Sequence, residues 1–259
     1  MRATALPEVS PRLLAGFGRY GERYLARGFH AVRLSRAERP DPEALRGRPV
    51  AVCLSHPSWW DPLVGLLLAR RLFPQRRHYA PIEASALARY RFFGRLGFFG
   101  VEPGPRGARR FLEVSRALLE RPDTVLWVTA AGRFADPRER PVALRPGLGH
   151  ALARNPGAAV LPLALEYPFW EERHPEALAR FGGEVRVDSP EPDAWTAALE
   201  AGLEAAQDGL AAEALARDPR RFETLLGGSA GVGGMYDLWR RLRSRLRGER
   251  FRPEHGEAG

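Results

Sequence analysis

Val50-Ala51-Val52-Cys53-Leu54 is a short continuous apolar run that passes directly into Ser55-His56-Pro57-Ser58-Trp59-Trp60-Asp61-Pro62. Apolar residues at every position, rather than at every second one, suit a strand covered on both faces, as inside a parallel sheet layered by helices. Asp61-Pro62 then opens the apolar segment Leu63–Ala69, which closes on Arg70-Arg71. An aspartate at the cap position, a proline in the first turn and basic residues in the last turn mark a helix from both ends. A buried strand, a short loop and a helix in this order confine the chain to an α/β architecture. They place His56 at the C-terminal end of a strand, where open α/β sheets gather their ligands.

His56 and Asp61 lie together on that loop. A carboxylate has two oxygens, so Asp61 can cap the helix and also accept an imidazole N–H. A histidine held at one ring nitrogen keeps the other free to take a proton, as a general base must. The plainer alternative is a helix-capping aspartate beside a loop histidine satisfied by backbone.

Further strands and helices follow. Arg109 to Glu120 carries Phe111, Val114, Leu118 and Leu119 on one helical face, and Thr124–Val128 is a second apolar strand, entering Thr129-Ala130-Ala131-Gly132-Arg133-Phe134. Val160-Leu161-Pro162-Leu163-Ala164-Leu165 is a third. Trp195 to Ala216 has leucines at helical spacing and reads as one or two packing helices, after a Pro- and acid-rich connection over 188–193.

His-x-x-x-x-Asp after a short apolar strand resembles the catalytic motif of the glycerolipid acyltransferases, the lysophosphatidic acid acyltransferase family. The order downstream is similar too. Tyr90 to Val101, with its Gly-aromatic character, looks like the second motif region, and Thr129 to Phe134 looks like the third. Leu144-Arg145-Pro146-Gly147 is similar to the Lys-x-Gly helix start after it, and Val160 to Leu165 resembles the fourth. The match covers about residues 50 to 167. The resemblance implies a mixed, largely parallel central sheet flanked by helices. It implies acyl transfer with His56 as general base and Asp61 as its orienting carboxylate.

It also implies substrate contacts at Gly132, Arg133, Arg106 and Trp60, with acyl-CoA or acyl carrier protein as donor and neither metal nor redox cofactor. N–H groups at the start of the Pro62 helix or in the Gly132 loop are candidates for the oxyanion. Trp59 and Trp60 either line the acyl path or wedge the loop. Two positions depart from the family pattern. Pro103 stands near the place of a phosphate-binding arginine, for which Arg106, Arg109 or Arg110 can substitute, and Ala131 replaces an acidic residue or glutamine.

Composition bears on location. Arginine accounts for all 40 basic side chains, against 31 acidic ones, for a net charge of +9. Such a surface attracts phosphate-bearing partners. No apolar run is long enough to span a bilayer, and arginines interrupt the first 30 residues, so neither a spanning helix nor a signal peptide is expected. A lone cysteine, Cys53, falls inside the first strand and reads as a small buried hydrophobe. Three units are expected: a basic amphipathic helical segment over 1–40, an α/β domain over 41–226, and a Gly-rich linker, basic helix and frayed tail over 227–259. The helix at Met235 to Arg247 and the segment Pro11 to Arg36 each combine apolar and arginine faces, which suits an interfacial membrane helix or packing on the protein's own core.

Two motif matches carry less weight. Gly16-Phe17-Gly18-Arg19-Tyr20-Gly21 spells a dinucleotide fingerprint with no strand ahead of it. Gly227-Gly228-Ser229-Ala230-Gly231 spells a nucleophile elbow, but Arg220 to Leu226 reads as a helix end and the glycines as a linker. No nucleic-acid reader motif is present, so no nucleic-acid partner is expected.

The expected function is an O-acyltransferase acting on a lysophospholipid, peripheral on the cytoplasmic face of the cell membrane. The alternatives are the same chemistry on a glycolipid, carotenoid glycoside or other lipid alcohol, and a non-catalytic lipid-binding protein.

Overall fold

The computed structural model describes residues 6–229, so the basic helix expected at 235–247 lies outside the described residues. The three apolar runs form β2 (Val50–Leu54), β5 (Thr124–Val128) and β6 (Ala159–Glu166). They are adjacent and parallel at the centre of an eight-stranded sheet of order β4-β3-β5-β2-β6-β7-β1-β8. Every residue of β2 and β5 is buried, which accounts for their unbroken apolar character.

The remaining strands are β1 (Ala31–Ser35), β3 (Arg77–Glu83), β4 (Phe98–Val101), β7 (Glu176–Phe181) and β8 (Phe222–Gly227). β4, β3, β5, β2 and β6 run parallel. β7 is antiparallel to β6, β1 is parallel to β7, and β8 is antiparallel to β1. The sheet is therefore mixed but mostly parallel.

Helices cover both faces. On one, α2 (Asp61–Leu72) buries Val64, Leu67 and Leu68 with Leu25 of α1 (Pro11–Gly28). On the other lie α4 (Pro105–Leu119), α5 (Gly147–Leu152) and the first half of α6 (Pro192–Ala216), which contribute Val114, Leu118, Leu148, Trp195 and Leu203. The short α3 (Ala84–Arg89) and a 3₁₀ turn (Arg91–Leu96) join β3 to β4.

From β2 the chain crosses by α2 toward β3, whereas from β5 it crosses by α5 toward β6. Neighbouring strands whose connections leave in opposite directions open a crevice between their C-terminal ends. The loop after β2, carrying His56, and the loop after β5, carrying Gly132 and Arg133, face each other there.

Three expectations are corrected. The 1–40 segment is not helical throughout: Ala31–Ser35 is strand β1, bonded between β7 and β8, so Val32 and Leu34 are core residues. Residues 220–226 do not end a helix, since Phe222–Gly227 is edge strand β8. Its aromatic and β-branched residues and its pairing with β1 outweigh the helical reading. Gly227 and Gly228 are not a loose linker, because Gly228 donates to the His30 carbonyl at 2.8 Å. A Cβ at Gly228 would sit 2.0 Å from the Phe29 carbonyl oxygen, so that close approach requires glycine. β8 does lead toward Ser229, but the Ser229 hydroxyl is 3.4 Å from the Ala26 carbonyl, to which it donates.

Candidate active site

The loop after β2 is anchored before it turns. Ser55 donates its N–H to Leu163 and accepts the Leu165 N–H on its hydroxyl, both at 2.9 Å, which prolongs the β2–β6 ladder by one residue. His56 follows, and its carbonyl accepts the Ala135 N–H at 3.0 Å from the loop after β5. The two loops are thus tied at the histidine itself.

His56 Nδ1 lies 2.6 Å from Asp61 Oδ2. Asp61 is 1% exposed, and a carboxylate so buried must be well supplied with donors. Oδ2 also accepts the Ser58 N–H at 3.1 Å, and Oδ1 accepts the Tyr167 hydroxyl at 2.5 Å. Three donors thus satisfy this buried carboxylate. Asp61 does not cap α2, as the sequence suggested: its carboxylate turns back toward Ser58 and His56, and α2 has no side-chain cap. The Leu63 and Val64 N–H groups bond instead to the Trp60 carbonyl.

Tyr167 follows directly after β6. Burial and the neighbouring Asp61 charge push its phenol well above the ordinary tyrosine range, so it remains a hydrogen-bond donor. Its ring packs on Phe29 at 5.5 Å. With Nδ1 donating to Asp61, the His56 Nε2 is the basic nitrogen, and it makes no hydrogen bond among the described residues. The imidazole packs against Phe134, whose ring centroid lies 4.3 Å away at a 30° tilt. A cavity of about 30 Å³ beside His56 is lined by Ser55, Ala131, Arg133, Leu144 and Gln207.

The far wall of this cavity belongs to α6. Glu200 and Glu204 accept the Leu144 and Val142 N–H groups at 2.9 and 3.0 Å, holding the loop after β5 in place. A much larger groove of about 720 Å³ lies away from this pair, at edge strand β4 between Leu6–Pro11 and Arg91. It contains no histidine, so size does not decide the site; the His56–Asp61 pair does.

The expected substrate contacts are placed unequally. Gly132 takes the left-handed backbone conformation, φ +66°, at the turn of the loop, which glycine adopts without strain. Arg133 lines the cavity, but its guanidinium makes a bidentate pair with Glu139 and is not available to an anion as a free charge. Arg106 is in the first turn of α4, beyond β4, and three strand spacings put β4 roughly 14 Å to the side of β2. Trp60 points away from the cavity and wedges between Tyr24 at 5.2 Å and Phe29 at 4.9 Å, while Trp59 stacks on it and is 56% exposed.

Both expected oxyanion donors are already committed. The α2 N–H groups are bonded as above, and the Gly132 N–H bonds the Thr129 carbonyl at 2.9 Å. Ala131 and Arg133 line the cavity, and their N–H groups make no backbone bond among the described residues.

Two residues were missed. Tyr167 lies more than a hundred positions from Asp61, and no local signal links them. Arg145, in the Lys-x-Gly-like stretch, lies across Gly132, where a Cβ would stand 2.5 Å from its Nε; it forms no ion pair among the described residues. Cys53 is fully buried and its thiol is pushed up to about 12 by burial, so it is no nucleophile at neutral pH. The sequence matches no protein-family model and no curated protein.

Proposed function

We propose that this chain is an O-acyltransferase that moves an acyl group from a thioester donor to a lipid hydroxyl at a membrane surface. The observation that carries the reading is the His56–Asp61 pair: a 2.6 Å contact to a buried carboxylate held by two further donors. Nε2 takes the proton from the acceptor hydroxyl as its oxygen attacks the thioester carbonyl. Asp61 holds the ring in the Nδ1–H form and stabilises the imidazolium. The tetrahedral oxyanion then collapses, the C–S bond breaks, and the leaving thiolate recovers the proton from His56. The Ala131 and Arg133 N–H groups, which make no backbone bond among the described residues, serve as the oxyanion donors in this reading.

For a lysophospholipid acceptor, Arg145 rather than Arg133 is the cation for the phosphate, since Glu139 already neutralises Arg133. A neutral lipid alcohol is the second reading. It is favoured by the carboxylate partners of Arg133, Arg138 and Arg140 near the cavity. The described helices include none long and apolar enough to cross a membrane, so contact with lipid is proposed as peripheral.

The test is acyl transfer from radiolabelled acyl-CoA and acyl carrier protein to lysophosphatidic acid, other lysophospholipids and neutral glycolipids. Labelling should vanish in His56→Ala with the fold intact. Full activity in His56→Ala refutes the mechanism, and labelling confined to a neutral acceptor selects the second reading.

A further inference from the structure

α1 presents three distinct sectors. Gly18, Gly21 and Leu25 are buried, and the glycines let the helix close on α2, where Leu63 lies 3.4 Å from a Cβ placed at Gly21. At 100° per residue, Arg12, Arg19, Arg23 and Arg27 fall together on the opposite side. All four are exposed. Phe17, Tyr20 and Tyr24 fill the flank between, with Tyr20 stacked on Tyr24 at 5.9 Å.

That flank continues beyond the helix in both directions. Tyr24 meets Trp59 at 6.1 Å, and Phe17 meets Phe92 of the 3₁₀ turn at 6.0 Å. The result is one aromatic ribbon from the His56 loop to the β4 edge. Tyr20, Trp59, Tyr90 and Phe92 on it are 41–57% exposed. The cations beside it lack an acidic partner: Arg12, Arg19, Arg23 and Arg27, and Arg89, Arg91 and Arg95 around the 3₁₀ turn, form no ion pair among the described residues. Arg33, Arg48, Arg133 and Arg180 elsewhere are paired, whereas here seven unpaired arginines lie along one aromatic ribbon. The single acid of α1, Glu22, turns to Arg70 and Arg71 of α2.

We infer that this face docks an anionic lipid bilayer, with the arginine stripe on the phosphates and the aromatic ribbon at the headgroup boundary. Unpaired arginines alone would suit an acidic protein as well. Exposed Trp, Tyr and Phe rings beside them are what an interfacial surface adds. Because Trp59 belongs to the loop between His56 and Asp61, the docked bilayer would lie at the rim of the site. The inference deepens the membrane-surface part of the proposed function, and its test does not depend on acyl transfer.

The test is co-sedimentation of the full chain with phosphatidylcholine vesicles with and without phosphatidylglycerol. Arg19→Gln/Arg23→Gln and Tyr20→Ser/Phe92→Ser are compared with the parent chain and His56→Ala. Binding should require phosphatidylglycerol and weaken about five-fold per arginine removed at low salt. It should also weaken in the aromatic pair and be unchanged in His56→Ala. The difference in emission between the parent chain and Trp59→Phe should move to the blue on the anionic vesicles. Matched thermal melts establish that the variants are folded. Folded variants that bind like the parent overturn the proposal, as does binding to an acidic carrier protein with none to vesicles. Loss of acyl transfer in His56→Ala with vesicle binding retained separates the two readings.

Discussion

Replacing Tyr167 by Phe removes one oxygen and nothing else from the packing on Phe29. That oxygen donates to Oδ1 of a carboxylate that is 1% exposed, and it is the one donor to Oδ1 among the described residues. A buried charged acceptor that loses its donor and gains no water costs about 1.5–3 kcal/mol. For a chain of this size that corresponds to a midpoint of thermal unfolding lower by roughly 4–10 °C. The cost should also depend on Asp61, so in an Asp61→Ala background the same change should cost less than about 0.5 kcal/mol. Urea unfolding of the four chains of this cycle is the assay. An equal cost in both backgrounds, or an unchanged midpoint in the single variant, would refute the buried-clamp reasoning.

Asp61→Asn tests the tautomer. Ser58 N–H points at Oδ2, so an asparagine should keep its oxygen toward Ser58 and His56 and turn its amide to Tyr167, whose hydroxyl can accept. The histidine then keeps Nδ1–H and loses only the charge beside it, for an expected loss of about 10- to 1,000-fold. A loss as large as that of His56→Ala would show that the ring had turned or the tautomer reversed. His78 governs acid stability: its neutral ring accepts from Trp127 Nε1 at 3.2 Å and donates to the Phe73 carbonyl at 3.1 Å, and burial pushes it down to about 4. Below the ordinary 6.5 the unfolded chain binds a proton that the folded chain refuses, so stability falls as pH drops from 6.5 to about 4, by about 3 kcal/mol at most. His78→Gln should flatten that interval in urea melts, and an unchanged slope would count against it.

The strands at the centre were legible because a run buried on both faces has nothing to alternate with. Val50–Leu54 and Thr124–Val128 have the bounds expected of them. The outer strands were not. Ala31–Ser35 and Phe222–Gly227 pair with each other across 191 positions, and Ala31–Ser35 also pairs with β7, so distant partners outweigh what their own short sequences signal. The same divide runs through the site. His56 and Asp61 share one short loop, so their spacing could be read. Tyr167 reaches Asp61 only because β6 lies beside β2.

The amino-acid order by itself therefore determined the buried strand, the loop and the helix that carry His56 and Asp61, since all three depend on neighbours a few residues away. The tertiary structure decided what that loop can do. It turned Asp61 from helix cap to clamped carboxylate, paired Arg133 with Glu139 while leaving Arg145 on Gly132, and set Trp60 as a wedge with Trp59 outward. Hydrogen bonds and ion pairs are made by whatever the sheet brings within 3 Å, and strand order, not sequence distance, sets that.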